Sequence, residues 1–328
     1  MKMGLNKSGG NINWFPGHMA AATRAIRRRL KLSDLVIEVR DARVTKYSLE
    51  AKFAIRFSEV FFIIYVLKLL DLVEFKLKEV ITREPTLLVM VVGVPNVGKS
   101  ALFNSIHQIA SSRFPVQEKV KRATVGPLPG VTQDIAGYKI AHQPSIYVLD
   151  TPGVLVPSIP DIETGLKLAL AGSIKDSVVG EERIVQYLLA VLNTRGTPLH
   201  WRHLIGRESE GLHHELDDKP EYNLKDLLPK RRKPPNKSDI YYIEDMVSEV
   251  QRTLCTTLTE FNGNLEDEGE LETLIDQQFE ALQTPLKIPY KAPETRTMVS
   301  KRFLTLFRTG KFGPFILDDV PDASESAS

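Results

Sequence analysis

Gly93-Val94-Pro95-Asn96-Val97-Gly98-Lys99-Ser100 is an uninterrupted match to G-x-x-x-x-G-K-[ST], and the residues around it decide the fold. The apolar run Leu87 to Val92 before it reads as a buried parallel strand, and Ala101 to Ile106 after it opens a helix. Strand, glycine-rich turn and helix in that order make a phosphate-binding loop. Backbone N–H groups of the turn and the helix N-terminus surround phosphate oxygens, Lys99 neutralises their charge, and Ser100 offers magnesium a hydroxyl. Asn96, Val97, Gly98 and Ala101 are the neighbouring positions expected against the nucleotide.

The chain has 328 residues, enough to bury a full α/β core and leave a smaller second domain. Its 42% hydrophobic and 26% charged residues are those of an ordinary soluble globular protein. A single cysteine, Cys255, excludes an intrachain disulfide framework and a cysteine-based zinc site. The net charge of +2 hides an uneven distribution: residues 1–56 hold twelve Lys and Arg against four acids. Such a region attracts a polyanion, RNA above all, and Arg27, Arg28 and Arg29 are its densest point. A solvated basic helix face is the plainer alternative. The longest apolar stretch, Val60 to Leu67, is far too short to cross a bilayer, which leaves only peripheral membrane association open. The protein is expected to be a monomer.

Leu32 to Val39 reads as a strand, and the residues from Leu69 to Ile81 have helical spacing up to Pro85. Ser145 to Leu149 is a strand that delivers Asp150-Thr151-Pro152-Gly153 at its end, and the alternation of strands and helices indicates a parallel sheet. Helical periodicity follows over Glu181 to Leu192, 240–259, 271–283 and Thr297 to Arg308. The expected domains are a basic N-terminal segment 1–30, an α/β nucleotide-binding domain 31–172 that is atypical over 44–65, a helical domain 173–320 with a polar insert 206–239, and a disordered tail 321–328. His200 and His203, with His213 and His214, lie in a loop-like region without an ordered frame for a metal. The basic run Lys230 to Lys233 is more simply a solvated linker than an RNA contact.

Asp150-Thr151-Pro152-Gly153 supplies the other half of a phosphate switch. A strand-end aspartate holds magnesium through water, and the N–H of Gly153 is placed to sense a γ-phosphate. Thr132, in the glycine- and proline-rich loop between the two motifs, can close on magnesium when that phosphate is present, or is an ordinary loop threonine. After Gly153 stands Val154, where Ras-like GTPases place the glutamine that orients water, and valine cannot form that hydrogen bond. No N-K-x-D guanine reader on a strand follows Asp150, whereas a strand–helix segment precedes the phosphate loop. That order implies a circularly permuted GTPase.

Trp14-Phe15-Pro16-Gly17-His18-Met19, Asp41-Ala42-Arg43, Gly93 to Ser100, Pro129-Gly130-Val131-Thr132 and Asp150 to Gly153 together resemble the YlqF/RbgA family. They are most similar to its plant mitochondrial DAR GTPases and mitochondrial ribosome-associated GTPases. The resemblance implies a P-loop NTPase fold in permuted order with a small all-α C-terminal domain, and a GTP-hydrolysing assembly factor for the large ribosomal subunit. It implies GTP and Mg2+ as cofactors, with Ser100, Thr132 and Asp150 around the metal. It implies potassium at Asn96, whose plainer role is to cap the following helix. His18 matches the family's proposed catalytic histidine, and the alternative is support of the Pro16-Gly17 turn. The large subunit and its rRNA are the implied partners. The mitochondrion is the implied compartment, with chloroplast or cytoplasm as alternatives.

The chain departs from the family between Val44 and about Tyr65, where the family has N-K-x-D and a second base-contacting loop. Part of the permuted N-terminal half therefore reads as deleted. The competing hypothesis is a non-catalytic RNA- or ribosome-binding protein with a vestigial nucleotide site, and a base-indifferent phosphatase is the third.

Overall fold

The computed structural model describes residues 12, 14–44, 86–113, 123, 125–126, 128–132, 134–142, 145–157, 159, 161–205, 237–289 and 294–318. These fall into two compact units. One comprises described residues between Gly10 and Val179 together with those from Ile316, and the other runs from Gly180 to Phe315. The seam lies at Val179, whereas composition alone drew it after Gly172, and the segment from Ile316 groups with the first unit.

In the first unit, helix α1 (Gly17–Leu30) buries Met19, Ala22 and Ile26, a stripe at helical spacing. Strand β1 (Leu35–Glu38) is shorter than the run from Leu32, and it pairs in parallel with β2 (Thr86–Val92). The Asp34 carboxylate accepts the Leu88 N–H at 2.7 Å, which fixes the register of that pair at its start. β2 pairs in parallel with β4 (Ser145–Asp150) on its other side. β2 is buried along nearly its whole length, as expected of a central parallel strand covered on both faces. Helix α2 (Lys99–Arg113) packs Phe103 and Ile106 against Leu87, Val89, Val91, Ile146 and Val148.

To the parallel sheet expected from the sequence, borne out by β1, β2 and β4, β3 (Ala136–His142) adds an antiparallel strand. It pairs antiparallel with β4 and gives the order β1-β2-β4-β3. A register shift between Lys139 and Ala141 breaks its period-2 alternation. Helix α3 (Ile162–Leu170), capped by the Asp161 carboxylate on the N–H groups of Glu163 and Thr164, and the short α4 (Asp176–Val179) follow in the same unit.

The second unit is helical. α5 (Glu181–Thr194) is apolar and buried nearly all round from Ile184 to Asn193, so it forms the unit's centre. Around it lie a 3-10 helix (Thr197–Leu204), α6 (Lys237–Glu260), α7 (Glu268–Ala281) and α8 (Thr295–Arg308). The region of His200 and His203, read as loop-like, is thus a 3-10 helix. The polar insert also ends earlier than read, because Lys237, Ser238 and Asp239 already belong to α6. Buried Asn193 and Gln278 exchange two amide hydrogen bonds of 2.8 and 3.0 Å, which joins α5 to α7. The readings over residues 45–82, 206–236 and 321–328, His213 and His214 included, lie outside the described residues.

Candidate nucleotide site

The phosphate loop leaves β2 at Gly93, where a Cβ would stand 2.3 Å from the Val39 carbonyl oxygen, so only glycine fits. The loop turns through Asn96 at φ +62°, a left-handed conformation that asparagine tolerates better than most side chains. α2 then begins at Lys99. A second close approach ties the loop to the D-x-x-G motif. A Cβ at Gly153 would lie 2.4 Å from the Pro95 Cα, so the two backbones touch. Thr151, fully buried, donates its hydroxyl to the Val91 carbonyl at 2.6 Å and pins the same segment to β2.

Three oxygens converge beneath the loop. The Ser100 hydroxyl donates to Asp150 Oδ2 at 2.7 Å, and Ser100 Oγ and Thr132 Oγ1 lie 3.1 Å apart. The other carboxylate oxygen, Asp150 Oδ1, is buried without a hydrogen-bond partner. Two hydroxyls and a carboxylate with a spare buried oxygen are hard donors of the kind magnesium takes, so these residues fit the ion. Lys99, 5% exposed, donates to the Val94 carbonyl at 2.7 Å. Burial pushes its ammonium down to about 8, against the opposing pull of Asp150. Burial likewise raises the Asp150 carboxyl above the ordinary range, opposed by the Ser100 hydroxyl, Lys99 and the Thr151 N–H.

A cavity is lined by Asn96, Gly98, Lys99, Ser100, Ala101, Thr132 and Gly153, all singled out from the sequence. Val97 is not among its lining residues. Sequence reasoning missed Val125, Gly126, Leu128 and Val131, which close it from the switch-loop side. The glycine and proline content of 126–130 marked that loop but not which of its residues line the cavity. His18 stands outside the lining. Its Nε2 is buried without a hydrogen-bond partner and lies 3.4 Å from where a Gly130 Cβ would be, so the imidazole abuts the switch loop. The Asn96 amide donates to the Gly172 carbonyl at 3.3 Å. Arg27, Arg28 and Arg29 are exposed in the last turn of α1, where positive charge also complements the helix dipole. His203 Nδ1 lies 3.2 Å from the His200 carbonyl, and no group of three or more metal-ligating side chains occurs among the described residues.

A strand-borne phosphate loop whose serine bonds both a D-x-x-G aspartate and a switch-loop threonine defines the site of a P-loop GTPase. A family model described as "50S ribosome-binding GTPase" matches residues 88–220. "Short integuments 2, mitochondrial" of Arabidopsis thaliana is 65% identical over 356 residues, covering 98% of this chain and 92% of that protein. "DAR GTPase 2, mitochondrial" of the same plant is 34% identical over 357 residues, covering 96% and 93%. "Mitochondrial ribosome-associated GTPase 1" of Mus musculus is 34% identical over 225 residues, covering 56% of this chain and 67% of its own.

The chain belongs to the YlqF/RbgA family of GTPases. It is a GTPase related to mitochondrial ribosome-assembly GTPases, with the GTP and Mg2+ use typical of them. The mitochondrial relatives support a mitochondrial location. No helix among the described residues is long and apolar enough to cross a membrane.

Proposed function

We propose that this chain is a GTP-switched assembly factor for the mitochondrial large ribosomal subunit. The convergence of Ser100, Thr132 and Asp150 beside buried Lys99 is the observation that carries this reading. Backbone N–H groups from Asn96 to Ala101 take the phosphates, with Lys99 as the fixed positive charge. Ser100, Thr132 and Asp150 would hold magnesium, which would supply neutralisation of the phosphate charge. Gly153, pressed against Pro95, senses the γ-phosphate through its N–H.

Ordering of Thr132 in the GTP state favours the RNA-bound form, and loss of the phosphate releases it. Exposed Arg27, Arg28 and Arg29 meet rRNA phosphates. Val154 is buried and apolar, so the water-orienting group would come from elsewhere, from His18 across the switch loop, and potassium held at Asn96 would add positive charge. Single-turnover hydrolysis tests the assignment. His18→Ala is expected to lower the rate substantially with GTP affinity nearly unchanged, and a wild-type rate would make the histidine structural.

One observation favours a second reading. The two plant alignments, at 356 and 357 positions, run longer than the 328 residues here, so each relative carries residues this chain lacks. That supports loss of the guanine-reading segment between Val44 and Tyr65, and a chain that binds RNA or ribosome with a weakened nucleotide site. Titration with GTP, GDP and ATP separates the two. Weak binding with little guanine preference supports the loss, and submicromolar GTP-selective binding rejects it.

A further inference from the structure

The turn that ends α3 is built by its own sequence. Ala171 is the last residue with helical backbone, and Gly172 follows at φ +80°. The Ser173 N–H returns to the Leu168 carbonyl at 2.8 Å and the Gly172 N–H to the Ala169 carbonyl at 2.9 Å. This is a complete glycine-terminated helix cap, and it fixes the direction of every polar group left over. Three such groups point to other elements. The Ser173 hydroxyl, fully buried, donates to the Pro95 carbonyl at 2.9 Å. The Gly172 carbonyl accepts from Asn96, and the Ala171 carbonyl accepts from Arg43 Nη2 at 3.2 Å. Arg43 is itself forked onto Asp41 at 2.9 and 2.7 Å, and its carbonyl accepts the Leu317 N–H at 2.8 Å.

Two consecutive phosphate-loop residues thus rest on one helix cap. Proline has no N–H, so the Pro95 carbonyl is its only backbone hydrogen-bonding group. Asn96 holds an uncommon left-handed conformation that an outside acceptor stabilises. We propose that Ser173 and Gly172 are positioning residues for the phosphate loop, and that the D-A-R arginine, Arg43, braces their turn. The proposal rests on the reading that this loop takes the nucleotide phosphates.

The test uses the full chain with Ser173→Ala, checked for an unchanged helical circular dichroism signal. The variant should bind GTP and GDP alike about tenfold more weakly, the scale of one buried hydrogen bond, with the hydrolysis rate of bound GTP within about twofold of wild type. Amide hydrogen exchange at Val97 and Gly98 should quicken while Val89 to Val91 stay protected. A folded variant with wild-type affinity and wild-type exchange at Val97 and Gly98 overturns the proposal. If Ser173→Ala does not fold, Arg43→Gln decides: faster exchange at the same two amides supports it, and unchanged exchange overturns it. A wild-type chain that binds no nucleotide would defeat the functional reading instead, and the exchange measurement would still judge the turn.

Discussion

Ser100 of the phosphate loop donates its hydroxyl directly to Asp150 of the D-x-x-G motif, 2.7 Å away and fifty residues later in the chain. The two groups that magnesium would share are therefore held together by the sheet, because β2 and β4 are hydrogen-bonded neighbours in parallel register. Ser100→Ala removes one of the hydroxyls proposed for magnesium and leaves the Asp150 carboxylate with less support. Wild-type GTP affinity should fall sharply on chelation of magnesium. In Ser100→Ala affinity should already be low and respond little to chelator, as isothermal titration with and without EDTA would show.

Lys99 gives a pH signature of defined sign. Its folded value near 8 lies below the unfolded 10.5, so between those values the unfolded chain binds more protons than the folded one. Stability of the nucleotide-free protein should therefore rise with pH across that window. Lys99→Met should flatten this part of the profile, and urea denaturation of both proteins from about pH 8 to 10.5 checks it. GTP affinity should run the opposite way, weakening above about pH 8 as Lys99 loses its proton.

How far the sequence was legible depends on the range of each interaction. The phosphate loop and D-x-x-G motif announce themselves because both are local patterns at the ends of apolar strands. β3 escaped because the irregularity between Lys139 and Ala141 interrupts the alternation that marks a strand. α3 escaped because Gly165 interrupts its apolar pattern, although Asp161 stands at its start as a cap. Gly172 looked like a domain boundary. It is instead the residue that ends α3, and its partner Asn96 lies 76 residues earlier, a pairing no local pattern reveals. His18 was marked by motif alone, and only folding brings it against Gly130.

The buried amide pair of the helical unit offers a test of packing apart from the nucleotide. Gln278→Leu leaves the Asn193 amide buried without its reciprocal partner, which should cost about 1–3 kcal/mol in urea unfolding. Asn193→Leu combined with Gln278→Leu removes both amides and should recover much of that loss. A double variant that loses the sum of the two single effects would show that the pair is not coupled.

RNA binding should carry an electrostatic signature. Association with large-subunit rRNA should weaken steadily as salt rises, because phosphate neutralisation releases counterions. Replacing Arg27, Arg28 and Arg29 together with glutamine should flatten the slope of log affinity against log salt. An unchanged slope would leave the three as a solvated face of α1 that complements its dipole.

Phosphate release from GTP by the purified full chain tests the central claim most directly, measured alone and with mitochondrial large ribosomal subunits, for wild type and Lys99→Ala. The site described here predicts release by the wild type in at least one of those conditions. Lys99→Ala should abolish nearly all of it, because the buried ammonium at the phosphate loop is gone. Release that persists undiminished in Lys99→Ala, or no release by the wild type under either condition, would contradict the account.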